Sequence, residues 1–275
     1  TILFTGIQSG GQLTTTTDVD NFPGFPKSIQ GPQLMLDMKA QVERFGTEIK
    51  QLSAVSCQQT AKKTFIIKTE QEEYEGKTVI IATGASAMYL GLPSEITFAG
   101  KGVSACATCD GFFFRGKEVV VVGGGDTAME EATFLTKFAT KVTIIHRRDE
   151  FRASAIMLER AKKDPKISFM TNTIIEEILG DTSVTGVRLR DSKTGNVSNL
   201  NTQGVFLAIG HKPNTEFLKG IVELDVKGYV VTKNHTETSL PGVFAAGDCV
   251  DHRYRQAVVA AGQGCMAALD AQKYL

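Results

Sequence analysis

A strand, a glycine-rich turn, a helix and a second strand follow one another between residues 117 and 145. The first strand ends in four consecutive valines, a pattern typical of a buried parallel strand. It leads into Gly123-x-Gly125-x-x-Ala128, whose glycines let backbone N–H groups approach a pyrophosphate at a helix N-terminus. Small and apolar residues then recur at helical spacing as far as Ala139. We therefore predict an α/β protein that contains a βαβ dinucleotide-binding unit.

Basic residues follow the second strand of this unit, where the nucleotide ribose is expected to lie. They are His146, Arg147 and Arg148, with Arg152 four residues further on. An NAD site has an acid here for the ribose 2′-hydroxyl, whereas arginines accommodate a 2′-phosphate. Hydrogen bonds to charged groups contribute roughly 1.5–3 kcal/mol each, so two such contacts favour NADPH by about a hundredfold to ten-thousandfold. The position predicts NADPH, and a solvated basic turn is the alternative.

Residues 106–111 read Cys-Ala-Thr-Cys-Asp-Gly. Two thiols separated by two residues suit reversible disulfide chemistry, and Asp110 is placed to supply the proton that a departing thiolate needs. Half of a zinc site is the alternative, but a structural zinc site needs a second pair of ligands at similar spacing. The other three cysteines and the four histidines are scattered singly. We therefore predict a redox-active dithiol.

The composition limits the classes of function. A chain of 275 residues is long enough for two domains, and 30 basic residues balance 30 acidic ones, which argues against nucleic acid or an anionic membrane as partner. No apolar run approaches the roughly 20 residues that cross a bilayer. Five cysteines, with one clustered pair, fit a reducing compartment. We expect a soluble cytoplasmic protein with no metal.

Two further segments have the form of ligand loops. A glycine- and hydroxyl-rich loop, residues 10–17, comes after the opening strand, although a solvated loop is the alternative. Near the other end, a strand over residues 241–246 ends in Gly-Asp and is followed by a helix over residues 257–274. An acid after a strand and a nearby helix N-terminus suit a ribityl chain and a flavin ring, with a simple packing helix as the alternative. Cys249 and Cys265 are interpreted as structural thiols.

Taken together, these motifs resemble the bacterial-type, low-molecular-weight thioredoxin reductases, and the resemblance covers essentially the whole chain. It implies two Rossmann-like nucleotide-binding domains, with an NADPH domain over residues 88–213 inserted into a discontinuous FAD domain over residues 1–87 and 214–275. It also implies that the NADPH domain rotates, with residues 91–102 and 212–214 as linkers. The expected activity is the NADPH-dependent reduction of thioredoxin by a homodimer.

The resemblance also implies a role for each site residue. Cys109 faces the flavin, Cys106 attacks the disulfide of thioredoxin, and Asp110 is the general acid. The residues expected to bind NADPH are Gly123, Gly125, Asp126, Thr127, Ala128, His146, Arg147, Arg148 and Arg152. The residues expected to bind FAD are Thr5, Gly6, Ile7, Gln8, Ser9, Gly10, Gly11, Gln12, Asn21, Thr83, Gly84, Asp248, Cys249, Val250, Asp251, His252, Arg253, Tyr254, Arg255, Gln256 and Ala257.

One departure from the family pattern concerns the flavin site. The family opens with a strand, a first glycine-rich phosphate loop and a helix, and Thr1 corresponds to a position after them. We therefore expect an N-terminally truncated FAD domain, and 275 residues that by themselves are inactive or poorly folded. Three alternatives remain open: a flavoprotein that feeds a peroxidase or another thiol protein, a ferredoxin-type NADP reductase, and a non-catalytic NADPH-binding module.

Overall fold

The computed structural model describes residues 1–15 and 18–275, which form two compact units. The first unit comprises Thr1–Ser86 and Lys212–Leu275, and the second comprises Ala87–His211. Part of the predicted hydroxyl-rich loop, Thr16 and Thr17, lies outside the described residues. The predicted inserted domain, residues 88–213, differs from the second unit by one residue at its start and by two at its end.

Strands and helices alternate in the middle of the chain, over residues 93–170, and strands follow one another directly over residues 48–87 and 167–213. The described strands are β1 (Ile2–Phe4), β2 (Asp18–Val19), β3 (Ile29–Gln30), β4 (Glu48–Lys50), β5 (Ala54–Gln59), β6 (Phe65–Thr69), β7 (Glu73–Gly76), β8 (Val79–Ile81), β9 (Ala85–Ala87), β10 (Val103–Ser104), β11 (Glu118–Val122), β12 (Lys141–Ile145), β13 (Ile167–Met170), β14 (Thr173–Gly180), β15 (Val184–Asp191), β16 (Val197–Asn201), β17 (Gly204–Leu207), β18 (His211–Pro213) and β19 (Val243–Ala245). The α-helices are α1 (Gly31–Arg44), α2 (Pro93–Thr97), α3 (Ala107–Asp110), α4 (Asp126–Leu135), α5 (Ala155–Lys163) and α6 (Ala257–Tyr274).

The second unit is built on a five-stranded parallel sheet in the order β10-β17-β11-β12-β13. Successive side chains of a strand point to opposite faces. Val119 and Val121 accordingly join a core with the helices α4 and α5, while Val120 and Val122 join a second core with the antiparallel sheet β14-β15-β16. Both faces of β11 are therefore covered, which explains why its sequence is apolar without alternation.

The strands of the first unit form several small sheets. β1 pairs with β4 and β8 pairs with β19, both in parallel, while β5-β6-β7 form an antiparallel sheet. Phe65, Ile81 and Val243 lie in its main core, and α6 packs against β19 around Ala267 and Ala271.

The predicted elements agree with this structure apart from their ends. The predicted helix over residues 257–274 is α6. Leu34, Met38 and Val42 recur at helical spacing, which predicts a helix over residues 31–45, and α1 forms there. The helix after the glycine loop is shorter than predicted, since α4 ends at Leu135 and Ala139 is buried beyond it. The apolar run within residues 77–83 predicts a further strand, which is also shorter in the structure, where β8 covers only Val79–Ile81.

Candidate functional site

The two clustered cysteines form a disulfide. Cys106 precedes the single-turn helix α3 and Cys109 lies within it, with their Cα atoms 5.3 Å apart. The Asp110 N–H donates to the Cys106 carbonyl oxygen at 3.1 Å, which closes the turn. Gly111 follows immediately, and a Cβ at this position would lie 3.2 Å from side-chain atoms of Phe134 and Leu135 on α4. The glycine therefore lets the dithiol turn pack closely on the helix that starts at the nucleotide loop.

Asp110 lies beside the disulfide in a half-buried position. Burial raises the pKa of its carboxyl group, although a hydrogen bond with Ser104 opposes part of this shift. Ser104 is itself buried, and its Oγ accepts the Cys106 N–H at 3.0 Å. A carboxyl group with a raised pKa retains its proton closer to neutral pH, so it is suited to protonate a thiolate. Ser104, which the sequence analysis did not identify, contacts both the acid and the backbone of the first cysteine.

The glycine loop connects β11 to α4 and leaves no space for side chains at two positions. A Cβ on Gly123 would lie 2.5 Å from the Ala208 carbonyl oxygen, and a Cβ on Gly124 would lie 2.3 Å from the His146 ring. Gly125 is different, because a Cβ there would have no described atom within 4 Å. The first two glycines thus pack against protein, while the third, at the N-terminus of α4, faces open space where a phosphate is expected to approach.

Residues 146–152, here called the arginine turn, are attached to the glycine loop by backbone hydrogen bonds. The N–H groups of Arg152 and Ala153 donate to the Gly124 carbonyl oxygen at 2.6 and 3.1 Å. The Ser154 N–H donates to Asp126 Oδ1 at 2.6 Å, so Asp126 joins the starts of α4 and α5. Residues separated by about 30 positions in the sequence are thereby held next to one another.

His146 has a packing position within the arginine turn. Its side chain is buried, its ring stacks on Phe151 with centroids 5.1 Å apart, and Nε2 lies 3.0 Å from the Glu150 carbonyl oxygen. Burial lowers the pKa of the imidazole, so the ring is neutral at pH 7 and donates through Nε2–H. The side chains of Arg147, Arg148 and Arg152 are exposed and form no ion pair within residues 1–15 and 18–275.

The loops predicted to bind FAD meet within the first unit. The side-chain amide of Gln12 donates to the Ala85 carbonyl oxygen, and Asn21 Nδ2 donates to Gln256 Oε1 at 2.8 Å. Gly11 and Gly84 both have positive φ, and a Cβ on either would have no described atom within 4 Å. Segments from both ends of the chain thus come together, and the uncovered glycine backbone at Gly11 and Gly84 is a fitting environment for a dinucleotide.

The closing loop of the flavin region is organised by Asp251. Its buried carboxylate accepts the N–H groups of Arg253, Tyr254 and Arg255 at 2.9, 2.9 and 3.0 Å. These bonds hold Arg255 at φ 49°, in the left-handed region, directly before the start of α6. Burial and the nearby Asp251 raise the pKa of Asp248 to about 6, although Arg255 opposes the shift.

The predicted site residues differ in exposure. The exposed ones are Ile7, Gln8, Ser9, Gly11, Gln12, Asn21, Thr83, Asp126, Arg147, Arg148, Arg152, His252, Arg253 and Tyr254; the buried ones are Gly123, Ala128, His146, Cys249 and Asp251; the half-buried ones are Thr5, Gly6, Gly10, Gly84, Cys106, Cys109, Asp110, Gly125, Thr127, Asp248, Val250, Arg255, Gln256 and Ala257. The Cys249 thiol donates to the Ile81 and Ala246 carbonyl oxygens, and burial raises its pKa, as expected of a structural thiol. No group of three or more potential metal ligands occurs among the described residues, and none of the helices in this part of the chain could cross a membrane.

Comparison with known proteins identifies the family. Residues 2–264 match the family model described as pyridine nucleotide-disulphide oxidoreductase. The thioredoxin reductase of Mycolicibacterium smegmatis is 55% identical over 275 residues, which are 100% of this chain and 88% of that protein. The chain belongs to the thioredoxin reductases. A bifunctional thioredoxin reductase/thioredoxin of Mycobacterium leprae is 50% identical and is covered over 60% of its length by the whole of this chain.

Solved structures agree with this assignment. Thioredoxin reductase from Giardia duodenalis matches with a TM-score of 0.93 and 47% identity over 100% of this chain and 90% of that one. The enzyme from Streptococcus pyogenes matches with a TM-score of 0.94 and 39% identity over 99% of this chain and 89% of that one. Family membership confirms the predicted fold class and implies that the cofactors are FAD and NADPH.

Sequence reasoning missed two residues that support the thioredoxin reductase sites. Ser104 and Gly124 both lie next to predicted site residues, but neither has a chemical role of its own. Gly124 occupies a variable position of the glycine motif, and only the closeness of the His146 ring shows that a glycine is needed there. The run of three glycines in the sequence was the one signal that pointed to this position.

Proposed function

We propose that this chain transfers reducing equivalents from NADPH to the disulfide of thioredoxin, with Cys106 and Cys109 as the redox pair. The observation that carries the proposal is the Cys106–Cys109 disulfide followed directly by Asp110, a half-buried acid whose pKa is raised by burial. FAD, when bound, supplies the chemistry that accepts a hydride from NADPH and returns two electrons to this disulfide.

The thiol exchange uses both cysteines in turn. The reduced Cys106 thiolate attacks one sulfur of the thioredoxin disulfide, so that a mixed disulfide forms and one thioredoxin thiolate leaves. Cys109 then attacks the sulfur of Cys106, which releases the second thioredoxin thiolate and restores the Cys106–Cys109 bond. Asp110 donates the proton that converts a departing thiolate into a thiol, and it recovers a proton in the next turnover.

The arginine turn determines the choice of nucleotide. Arg147, Arg148 and Arg152 are exposed and free of ion pairs within the described residues, and the backbone places their turn beside the glycine loop. NADPH lies on Gly123, Gly125 and Ala128 with the N-terminus of α4 at its pyrophosphate, and the arginines bind the 2′-phosphate. Asp126, Thr127 and His146 support the same site.

The FAD site is formed by loops of the first unit. Residues 5–12, Asn21, Thr83 and Gly84 contact the cofactor from one side and residues 248–257 from the other. The hydrogen bonds from Gln12 to Ala85 and from Asn21 to Gln256 support this grouping. The enzyme acts in the cytoplasm as a homodimer, in keeping with the family resemblance. The bifunctional relative, whose name joins the two functions, supports thioredoxin as the acceptor.

Separate cysteine variants test the proposal. Cys106→Ser is expected to abolish thioredoxin reduction while NADPH still bleaches the visible flavin band of the reconstituted protein. Cys265→Ser removes an exposed free thiol and is the matched control, with full activity expected. Thioredoxin turnover by Cys106→Ser would contradict the proposed role of the dithiol. If the original protein turned over with a peroxidase component but not with thioredoxin, its acceptor would be a different protein.

A further inference from the structure

The arginine turn contains acids as well as bases. Arg147, Arg148 and Arg152 are accompanied by Asp149 and Glu150, and all five side chains are attached to one exposed stretch of six residues. A carboxylate among three guanidinium groups would be expected to pair with one of them, or to repel an incoming phosphate. Neither acid forms an ion pair with these arginines in the part of the chain that the structure describes. The Asp149 carboxylate is therefore held by groups other than these arginines.

Asp149 is bonded to groups outside the turn. Its Oδ1 accepts Asn172 Nδ2 at 2.7 Å and Lys193 Nζ at 2.5 Å. These two hydrogen bonds, with that from Lys193 the stronger, lower the pKa of Asp149, so the carboxylate is ionised at neutral pH. Its charge is compensated by the Lys193 ammonium instead of by a nearby arginine. The guanidinium groups are consequently not occupied by Asp149 and are available to bind an anionic ligand.

Asn172 connects the arginine turn to a neighbouring hairpin. Its N–H donates to the Arg148 carbonyl oxygen at 3.3 Å, and its own carbonyl oxygen accepts the N–H and the hydroxyl of Ser192 at 2.7 and 3.0 Å. The residue has φ 52°, a left-handed conformation that asparagine adopts more readily than most residues. Ser192 and Lys193 belong to the turn between β15 and β16, so this hairpin supports the arginine turn from one side.

Asp191 fixes the position of Lys193. Its Oδ1 accepts the N–H groups of Lys193 and Thr194, both at 2.8 Å. The lysine thus projects from a defined turn and reaches Asp149 across 44 positions of sequence.

We propose that Asn172 and Lys193 are positioning residues for NADPH selectivity, because they hold Asp149 away from the arginines and fix the turn that presents Arg147 and Arg148 to a 2′-phosphate. This inference rests on the proposed NADPH function of the same turn. Neither residue needs to contact the nucleotide. Lys193 acts through Asp149, whereas Asn172 acts through Asp149 and through the backbone of Arg148.

Loss of these hydrogen bonds is expected to weaken binding of the 2′-phosphate more than binding of the rest of the nucleotide. An arginine that pairs with Asp149 is withdrawn from the phosphate, whereas the adenosine and pyrophosphate contacts are unchanged. One hydrogen bond of ordinary strength corresponds to a loss of about three- to tenfold in affinity. Asn172→Asp would place a second carboxylate against Asp149, so we expect that variant to lose about tenfold or more in affinity for a nucleotide with a 2′-phosphate.

The experiment compares two probes on the full chain by titration calorimetry. The probes are 2′,5′-ADP and 5′-AMP, which differ at the 2′-phosphate, and the measured quantity is the ratio of their dissociation constants. Asn172→Gly tolerates the positive φ and removes only the side-chain contact, while Asn172→Asp preserves the size of the side chain. Lys193→Ala, a surface variant, keeps the test available if either Asn172 variant unfolds. Asn234→Gly is the matched control, since Asn234 also has positive φ, at 47°, and its amide bonds Glu237 within the first unit.

We expect the preference for 2′,5′-ADP to fall about three- to tenfold in Asn172→Gly and Lys193→Ala, and further in Asn172→Asp, with affinity for 5′-AMP unchanged. The Asn234→Gly control should retain the original ratio. An unchanged ratio in Asn172→Asp and Lys193→Ala would overturn the network alone. No preference for 2′,5′-ADP in the original protein would overturn the proposed NADPH function together with this inference.

Discussion

The two nucleotide-binding regions of this protein are assembled in different ways. In the second unit, the glycine loop and the arginine turn follow neighbouring strands of one parallel sheet, and direct backbone bonds join them. In the first unit, the contacts that group the flavin loops join residues separated by 73 positions, Gln12 and Ala85, and by 235 positions, Asn21 and Gln256. Closing long loops costs more chain entropy, so the first region depends more on the rest of its unit being folded.

Each unit nevertheless contains a buried carboxylate that accepts three backbone N–H groups. Glu95 accepts the N–H groups of Leu90, Gly91 and Leu92 at 2.8, 2.8 and 2.9 Å, and Asp251 accepts three consecutive N–H groups in the closing loop of the first unit. The side chain of Glu95 is almost fully inaccessible at 1% exposure, whereas Asp251 is at 9% and lies next to exposed residues. When the carboxylate is removed by mutation, water can therefore take its place more easily at Asp251 than at Glu95.

The largest predicted effect comes from removing Glu95. In Glu95→Ala, the N–H groups of Leu90, Gly91 and Leu92 lose a charged acceptor that is itself almost inaccessible, and we expect the free energy of unfolding of the second unit to fall by about 3 kcal/mol or more. Asp251→Ala should cost less, because solvent reaches the position of its carboxylate more easily than that of Glu95. Urea unfolding combined with hydrogen exchange on peptides of each unit separates the two effects. Equal losses in both variants would show that exposure does not distinguish the two loops, and Glu95→Gln, which keeps one acceptor oxygen, should be intermediate.

A second prediction compares two glycines of the same loop. Gly124→Ala places a Cβ 2.3 Å from the His146 ring and is expected to lower the free energy of unfolding by about 1–3 kcal/mol. Gly125→Ala meets no described atom and should leave stability within about 0.5 kcal/mol while weakening nucleotide binding. Thermal unfolding and 2′,5′-ADP titration measure the two quantities. If Gly125→Ala proved the more destabilising variant, the distinction between a packed and an open glycine would be wrong.

These two regions also differ in how far the sequence predicts them. The strands β11 and β12, the glycine loop and the dithiol could be identified because each is a local pattern with its own chemistry. Ser104 and Glu95 could not, since their importance comes from N–H groups and an acid that a residue pattern does not place around them. Residues 91–102, predicted as a linker, lie wholly inside the second unit. Gly91-Leu92-Pro93 in this segment is followed by Glu95, whose side chain accepts the N–H of Gly91.

The residues of the flavin region were predicted mainly from the family resemblance, because the local patterns of the glycine- and hydroxyl-rich loop and of the closing strand and helix left a solvated loop and a packing helix as alternatives. Nothing in the sequence around Asn21 indicates a contact with Gln256, and Asp251 was identified as one of a continuous set of ligand residues. The structure gives Asp251 three backbone donors, so its support of the loop is an additional role that the family motif did not reveal.

A third prediction concerns the acid of the flavin region in the protein freed of cofactor. The pKa of Asp248 is raised from 3.8 to about 6 in the folded chain, so the folded state holds this proton more tightly than the unfolded state. Its contribution to stability is therefore complete below about pH 4 and is lost as the pH rises through about 6. Asp248→Asn should stabilise the apoprotein at pH 7.5 and have little effect at pH 4. The half-buried side chain is partly screened by solvent, which keeps the expected difference smaller than that of the glycine substitution.

Urea midpoints of the original chain and of Asp248→Asn at several pH values measure this effect. Asp248→Ala is a second variant, since it removes the charge without leaving an amide in its place. A stabilisation by Asp248→Asn that does not change between pH 4 and pH 7.5 would contradict the raised pKa as its cause.

The smallest predicted effect tests the long-range assembly of the flavin region directly. In a double-mutant cycle, Asn21→Ala and Gln256→Ala should show a coupling energy at the low end of about 0.5–1.5 kcal/mol, because their hydrogen bond is exposed. The pair Gln8 and Thr14, also joined by an exposed side-chain hydrogen bond but only six positions apart, is the matched control. If the first unit folds as one cooperative body, both couplings appear in the same unfolding transition. If the 235-position contact of Asn21 with Gln256 forms only when FAD is present, its coupling is absent from the apoprotein and appears on addition of the cofactor, whereas that of Gln8 with Thr14 is present in both states.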